Sequence, residues 1–398
     1  MLLGGVLALV VACSACGAAS GGTPAQPSAS LTSPAVTSHP SRSPAAAAPP
    51  SCPDQVFAQM SEAQRVGQLF LVGIAGAPDA EVAQAVSTYH FGSFLFEGTS
   101  TVGVAADQQV AGAIQALASS AATAGVRFFI AANQEGGQVQ ELQGPGFSPI
   151  PPALDQGQLS AGELQQQAAA WGGELKSAGV NLDLAPVMDV VPAATASQNQ
   201  PIGALQREFG YDAQTIGSHG AAFIRGMRQA GVATTAKHFP GLGLVLGNTD
   251  YTSGVVDTTI GPKSPYLKSF RTAIKAGVPF VMVALATYTR IDPDHLAAFS
   301  SRVMRGLLRQ QMHFRGVIMS DDLGAAVAVA SVPPASRGVD FLTAGGDMIT
   351  SQSLPAAIAM YQAVLARAGD DPAFRATVKS AVMRILDAKQ AYHLLPCD

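Results

Sequence analysis

Eight short apolar runs, each parted from the next by a longer stretch of helical spacing, set the narrowest limits on this chain's fold. The runs are Leu69–Gly73, Gly92–Phe96, Arg127–Ala132, Val180–Ala185, Ala233–Lys237, Phe280–Ala284, Gly316–Ser320 and Asp347–Thr350. Each has the length of one strand, and its hydrophobicity is continuous rather than alternating, as in strands buried on both faces. Ala106–Ala124, Ser160–Ala178, Ala213–Ala230 and Ser300–Gln311 carry apolar residues at helical spacing between them. After the eighth run comes one long helical stretch, Leu354–Tyr392, broken around Gly369-Asp370-Asp371-Pro372. Strands alternating with helices pair in parallel, and eight of them suit a closed α/β barrel of the TIM type, (β/α)8, better than an open doubly wound sheet. The open sheet stays compatible with the pattern taken alone. A content of 48% hydrophobic and only 13% charged residues is enough for one large core.

The ends of the chain read differently from its middle. Met1–Ala12 is apolar but too short to span a membrane comfortably, and reads as an export signal. Val10-Val11-Ala12-Cys13 resembles the lipobox of bacterial lipoproteins, which implies a diacylated Cys13; Cys16 is a poorer candidate, and an inert apolar N-terminus is the alternative. The expected organisation is a signal peptide and lipobox over 1–16, a Ser-, Pro- and Ala-rich tether over 17–52, and a single barrel domain over 53–398. That places the barrel outside the cytoplasmic membrane, held to its outer face by lipid. Cys52 and Cys397 flank the folded part, and an oxidising compartment allows them to pair; two free thiols are the alternative. A net charge of −4 gives no general attraction to nucleic acid. A monomer is expected, as is the absence of a metal or organic cofactor, since neither metal-ligand spacing nor a phosphate-binding glycine motif stands out.

Polar residues gather where a barrel of this type carries function, at the C-terminal ends of strands. Asn133-Gln134-Glu135-Gly136-Gly137-Gln138 follows the third run, Asp183 and Asp189 lie in and after the fourth, Lys237-His238-Phe239-Pro240-Gly241 ends the fifth, and Ser320-Asp321-Asp322-Leu323 ends the seventh. Asn-Leu-Asp-Leu-Ala-Pro-Val-Met-Asp-Val (181–190), Lys-His-Phe-Pro-Gly (237–241) and Gly-Val-Ile-Met-Ser-Asp-Asp-Leu (316–323) resemble the signatures of family 3 glycoside hydrolases, nearest to the single-domain β-N-acetylglucosaminidases. Arg207-Glu208-Phe209-Gly210 is similar to the family's Arg-Ser-Phe-Gly. The resemblance implies a retaining glycosidase acting on terminal β-linked sugars of the cell envelope, with Asp321 as the nucleophile. It implies Arg207, Lys237 and His238 as donors to sugar hydroxyls, with Asn133 and Asp183 as further candidate contacts. Asp322 competes with Asp321, and an Asp ahead of a helical run also serves as a cap. His238 and Asp183 are open to structural roles at the barrel mouth.

The departures from the family pattern fall at this same end. The N-acetylglucosaminidase branch continues Lys-His-Phe-Pro-Gly-His-Gly and then carries Asp-Ser-His, whose His is the acid/base and whose Asp orients it. Leu242 stands at the first His, and Asn248-Thr249-Asp250 at the triplet. Asn133 replaces an Asp, Gln138 an Arg and Leu285 a His. Asp250 is then the aligned candidate for proton transfer, with Asp257 a distant reserve; a carboxylic acid can do this work if its pKa is raised. Three functions stay open: a glycosidase of altered specificity, a catalytically silent barrel that binds glycans or a protein partner, and an unrelated barrel enzyme such as an aldolase using Lys237 as a Schiff-base amine.

Overall fold

The computed structural model describes residues 50–397. The expected signal peptide, Cys13 and nearly all of the tether therefore lie outside the described residues. Eight parallel strands form one ring: β1 (Phe70–Ile74), β2 (Ser93–Phe96), β3 (Phe129–Ala132), β4 (Leu182–Asp183), β5 (Ala233–Phe239), β6 (Phe280–Val283), β7 (Val317–Ser320) and β8 (Ile349–Ser351). Each neighbours the next in chain order, and β1 pairs back onto β8 with Phe70 opposite Ile349. A parallel bridge between Met319 and Met348 links β7 to β8, and the Ser320 amide donates to the Met348 carbonyl at 2.9 Å. The ring is nearly closed, and the barrel rather than the open sheet is the fold.

The expected runs and strands agree to within two residues at each end. At the fourth, regular pairing covers Leu182–Asp183 and backbone bonds continue on either side, from the Asn181 amide to the Ile130 carbonyl at 3.0 Å and from the Leu184 amide to the Ala132 carbonyl at 2.9 Å. Asn181 Oδ1 accepts from the Ile130 amide at 2.8 Å, and its Nδ2 donates to the Phe128 carbonyl at 3.1 Å. All seven residues of β5 are buried, consistent with helices covering its outer face.

Helix Ala213–Gln229 packs on β5 and helix Ala161–Ser177 packs on that helix, and their starts follow from capping side chains. Ser160 and Glu163 form a reciprocal capping box on the first, and Asp212 caps the second. The two helices approach closely at Gly226, where a Cβ would stand 2.4 Å from the Gln165 carbonyl oxygen. Two helical expectations differ in detail. Ala106–Ala124 divides into Val104–Gln115 and Ser120–Thr123, and Arg302–Gln311 is wound as a π-helix. The expected break near Gly369 falls at Asp371, between Leu354–Asp370 and Pro372–Ala391. Proline cannot continue the earlier ladder, and Asp371 caps the new helix through the Ala373 and Phe374 amides.

The last helix closes the N-terminal end of the barrel. Lys389 is wholly buried and donates to Gln68 Oε1, the Gly92 carbonyl and the Arg127 carbonyl at 2.7, 2.7 and 2.9 Å. These acceptors lie just ahead of β1, β2 and β3. Burial pushes the Lys389 ammonium well below its ordinary pKa, and three oxygen acceptors satisfy its three donors. Cys52 and Cys397 form a disulfide with their Cα atoms 6.1 Å apart, joining helix Cys52–Gln59 to the end of the chain.

Candidate active site

At the C-terminal ends of the strands lies a cavity of about 670 Å³. Asn133, Glu141, Arg207, Lys237, His238, Asn248, Asp250 and Asp321 all contribute to its wall. Behind that wall, an ion-paired group holds the third and fifth strands together. After Asn133 the chain turns through a hairpin, Gln134–Gly136 paired with Val139–Gln140, at Gly136 and Gly137, both with positive φ. Only glycine fits at Gly136, since a Cβ there would meet the Pro151 carbonyl oxygen at 2.3 Å. This hairpin buries Glu135 and brings Glu141 back beside Asn133.

Glu135 receives Arg207 through two prongs, Nε to Oε2 at 2.8 Å and Nη2 to Oε1 at 2.6 Å, and Lys237 Nζ to Oε1 at 2.7 Å. Burial opposes its ionisation, but the charges of Arg207 and Lys237 outweigh it and lower its pKa to about 2. Lys237 also donates to Asn133 Oδ1 at 2.8 Å, so two of its three donors are already engaged. Arg207 in turn donates to the Pro201 carbonyl at 2.7 Å. Both cations line the cavity, but their fixed partners are protein groups.

His238 is oriented by Asp189. Its Nδ1 lies 2.8 Å from Asp189 Oδ2, and the same carboxylate accepts the backbone amides of His238 and Leu242. The other ring nitrogen has no protein partner among the described residues. The Lys237–His238 and Phe239–Pro240 peptide bonds are cis.

The two adjacent aspartates beyond β7 have separate tasks. Asp322 accepts the amides of Gly324, Ala325 and Gln352 at 2.8, 3.0 and 2.9 Å and shapes the turn. Asp321 accepts only the Asp322 amide, at 2.9 Å, and lines the cavity with free oxygen lone pairs. No helix starts at either aspartate; the chain turns there, and the bonds that shape the turn belong to Asp322. Burial and the nearby charge of Asp250 push the Asp321 carboxyl up, against the opposing charges of His238 and Lys237.

These observations meet a family pattern. The description "Glycosyl hydrolase family 3 N terminal domain" matches residues 62–388, nearly the whole barrel. The chain belongs to glycosyl hydrolase family 3. It is 46% identical to a β-N-acetylhexosaminidase structure from Beutenbergia cavernae, with a TM-score of 0.82, over 83% of this chain and 99% of that one. A family 3 β-N-acetylglucosaminidase structure from Paenibacillus is 26% identical with a TM-score of 0.75, covering 84% of this chain and 63% of that one. A β-hexosaminidase of Stenotrophomonas maltophilia is 37% identical over 233 residues, 55% of this chain and 65% of that protein's length. The alignments to such curated relatives thus span a little under two thirds of their length.

Within this family 3 barrel, the conformation of the loop after β5 is held from two sides. Asn199 Nδ2 donates to the Leu242 and Val245 carbonyls at 2.8 and 2.6 Å. The amides of Val327 and Ala328 donate to the Asp250 and Thr249 carbonyls, each at 3.1 Å. The loop therefore sets Asp250 on the same cavity wall as Asp321, with the Asp250 amide bonded to Asn248 Oδ1 at 2.9 Å. Two other candidates stand elsewhere. Asp257 is buried, accepts the Thr259 and Ile260 amides at 2.7 and 2.6 Å, and does not line the cavity. Asp183 is also off the wall: it is fully buried and accepts the Gln134 amide at 3.1 Å. Burial first, then the charges of Glu135 and Glu141, raise its pKa well above the usual carboxylate range, and its bond to the Gln134 amide anchors the hairpin.

Glu141 is a charged cavity residue that the sequence did not announce. Its oxygens accept from the Asn133 amide at 2.8 Å and from Asn133 Nδ2 at 3.1 Å. The only available signal was its place two residues beyond the turn-forming Glu-Gly-Gly and Gln-Val, where a hairpin returns the chain to its start.

Proposed function

We propose that this chain is a retaining exo-glycosidase that removes terminal β-linked sugars of the N-acetylglucosamine type from envelope glycans. One observation carries the reading: Asp321 faces the cavity with unused oxygen lone pairs, because Asp322 supplies the carboxylate that the turn needs. In the first step an Asp321 oxygen attacks the anomeric carbon, and the bond from that carbon to the leaving oxygen breaks. The electron pair goes to the leaving oxygen, which takes a proton from Asp250. In the second step Asp250 accepts a proton from water, the water oxygen attacks the same carbon, and the glycosyl ester to Asp321 is released. His238 and Lys237 favour the ionised nucleophile, and the Asp189 carboxylate keeps the His238 ring in place.

The test is mass spectrometry of the full chain after incubation with activated 2-deoxy-2-fluoro and 5-fluoro glycosides, an N-acetylglucosamine type among them. Their leaving groups need little protonation, so the labelling step does not depend on Asp250. A sugar adduct on Asp321 is expected. Folded protein that forms no adduct with any sugar would favour a silent glycan-binding barrel, the reading that the loss of the Asp-Ser-His triplet keeps open. Export and a lipid anchor at Cys13 belong to the same proposal. Cys13→Ala should move the protein from the membrane fraction to the soluble one, and unchanged membrane retention would remove the anchor from the account.

A further inference from the structure

We infer that Glu141 is a specificity-determining carboxylate, selecting terminal sugars that present hydroxyl donors on the side of the ring away from the bond that is cut. The inference deepens the glycosidase reading and rests on it. If Asp321 marks the anomeric carbon, the position of Glu141 follows from the barrel. Asn133, its anchor, follows β3, and Asp321 follows β7; the two strands are four places apart in a ring of eight and stand on opposite sides. The charged neighbours divide in the same way. Asp321 feels His238, Asp250 and Lys237, whereas Glu141 feels Lys237 and Glu135. Lys237 stands between the two ends.

The chemistry at the Glu141 end is that of an acceptor awaiting donors. Asn133 takes one lone pair from each carboxylate oxygen and holds the carboxylate plane, while Lys237 fixes the Asn133 amide from behind. Each oxygen keeps a further acceptor position, and no cation pairs with Glu141 among the described residues. Two oxygens held rigid on a cavity wall suit a pair of neighbouring sugar hydroxyls. A site built to bond a hydroxyl discriminates strongly against the analogue that lacks it, because its own polar group is then left unpaired. Burial raises Glu141 to about 7, against the Asn133 bonds and the Lys237 charge, so its acceptor capacity changes within the neutral range.

The experiment measures kcat and KM of the full chain and of Glu141→Gln on 4-nitrophenyl N-acetyl-β-glucosaminide and its 3-, 4- and 6-deoxy forms. The pH range runs on both sides of neutrality. For the unaltered chain, KM should rise as pH falls below about 7, and at least one deoxy form should lose roughly tenfold or more in kcat/KM. In Glu141→Gln the KM should be flat with pH, and discrimination against that deoxy form should largely vanish. A variant that keeps both the pH-dependent KM and the discrimination overturns the inference, as does one that merely lowers kcat and stability. If neither protein cleaves any of these glycosides, the glycosidase reading fails separately. The same sugars are then titrated calorimetrically, where loss of discrimination in Glu141→Gln still supports the role of Glu141 and absence of all binding overturns both.

Discussion

Asp321 and Asp322 are neighbours of the same type, and hydrogen bonding alone separates them. Three backbone amides depend on the Asp322 carboxylate, and only one, that of Asp322 itself, on Asp321. Asp321→Asn should therefore lower kcat by about three orders of magnitude or more while leaving the melting temperature nearly unchanged. Asp322→Asn should show the reverse emphasis, destabilising by roughly 1–3 kcal/mol as charged acceptors are lost. Parallel kinetics and thermal melts distinguish the two; comparable instability in both variants would remove the division of labour. In the sequence the family resemblance favoured Asp321 and left Asp322 as its competitor; the hydrogen bonds that separate the two could not be read there, because they depend on the path of the following turn.

The loop after β5 shows how an element acquires a conformation that its residues do not specify. Gly241–Val256 contains four glycines and has little secondary structure of its own, so its shape comes from partners far away in sequence. Asn199 holds two of its carbonyls and returns its own Oδ1 to the Ile202 and Gly203 amides, at 3.0 and 2.8 Å. Asn199→Ala should release the loop and carry Asp250 off the wall. The expected result is a fall of about tenfold or more in kcat for poor leaving groups, with labelling of Asp321 by activated fluoro-sugars retained. Equal loss of both would mean that the substitution reaches the barrel itself. The hairpin after β3 turns at Gly136 and Gly137, and its consequence, Glu141 at the cavity, depends on register and on Asn133 bonding.

At the scale of the molecule, the barrel is tied at its N-terminal end by the last helix and by one covalent link. Lys389 reaches three segments ahead of β1, β2 and β3, and the Cys52–Cys397 disulfide spans 345 residues. Closing so long a loop restricts the unfolded chain strongly, so Cys52→Ser should lower stability by about 2–5 kcal/mol under oxidising conditions. A reducing agent should bring the unaltered protein to the same melting temperature as the variant. If Cys52→Ser melts with the unaltered protein under both conditions, the link contributes nothing to stability.

The order and number of the strands, the break before the last helix, and the strand ends that border the cavity were all determined by the sequence itself. Continuous apolar runs, helical spacing and a proline after a capping aspartate act over a few residues, and local physics decides them. The pairing that nearly closes β8 onto β7, the removal of Asp183 and Asp257 from the cavity wall, the arrival of Glu141 on it, and the joint placement of Asp250 and Asp321 came only from the tertiary structure. Each depends on hydrogen bonds or ion pairs between segments distant along the chain, whose geometry exists only once the barrel has brought them together.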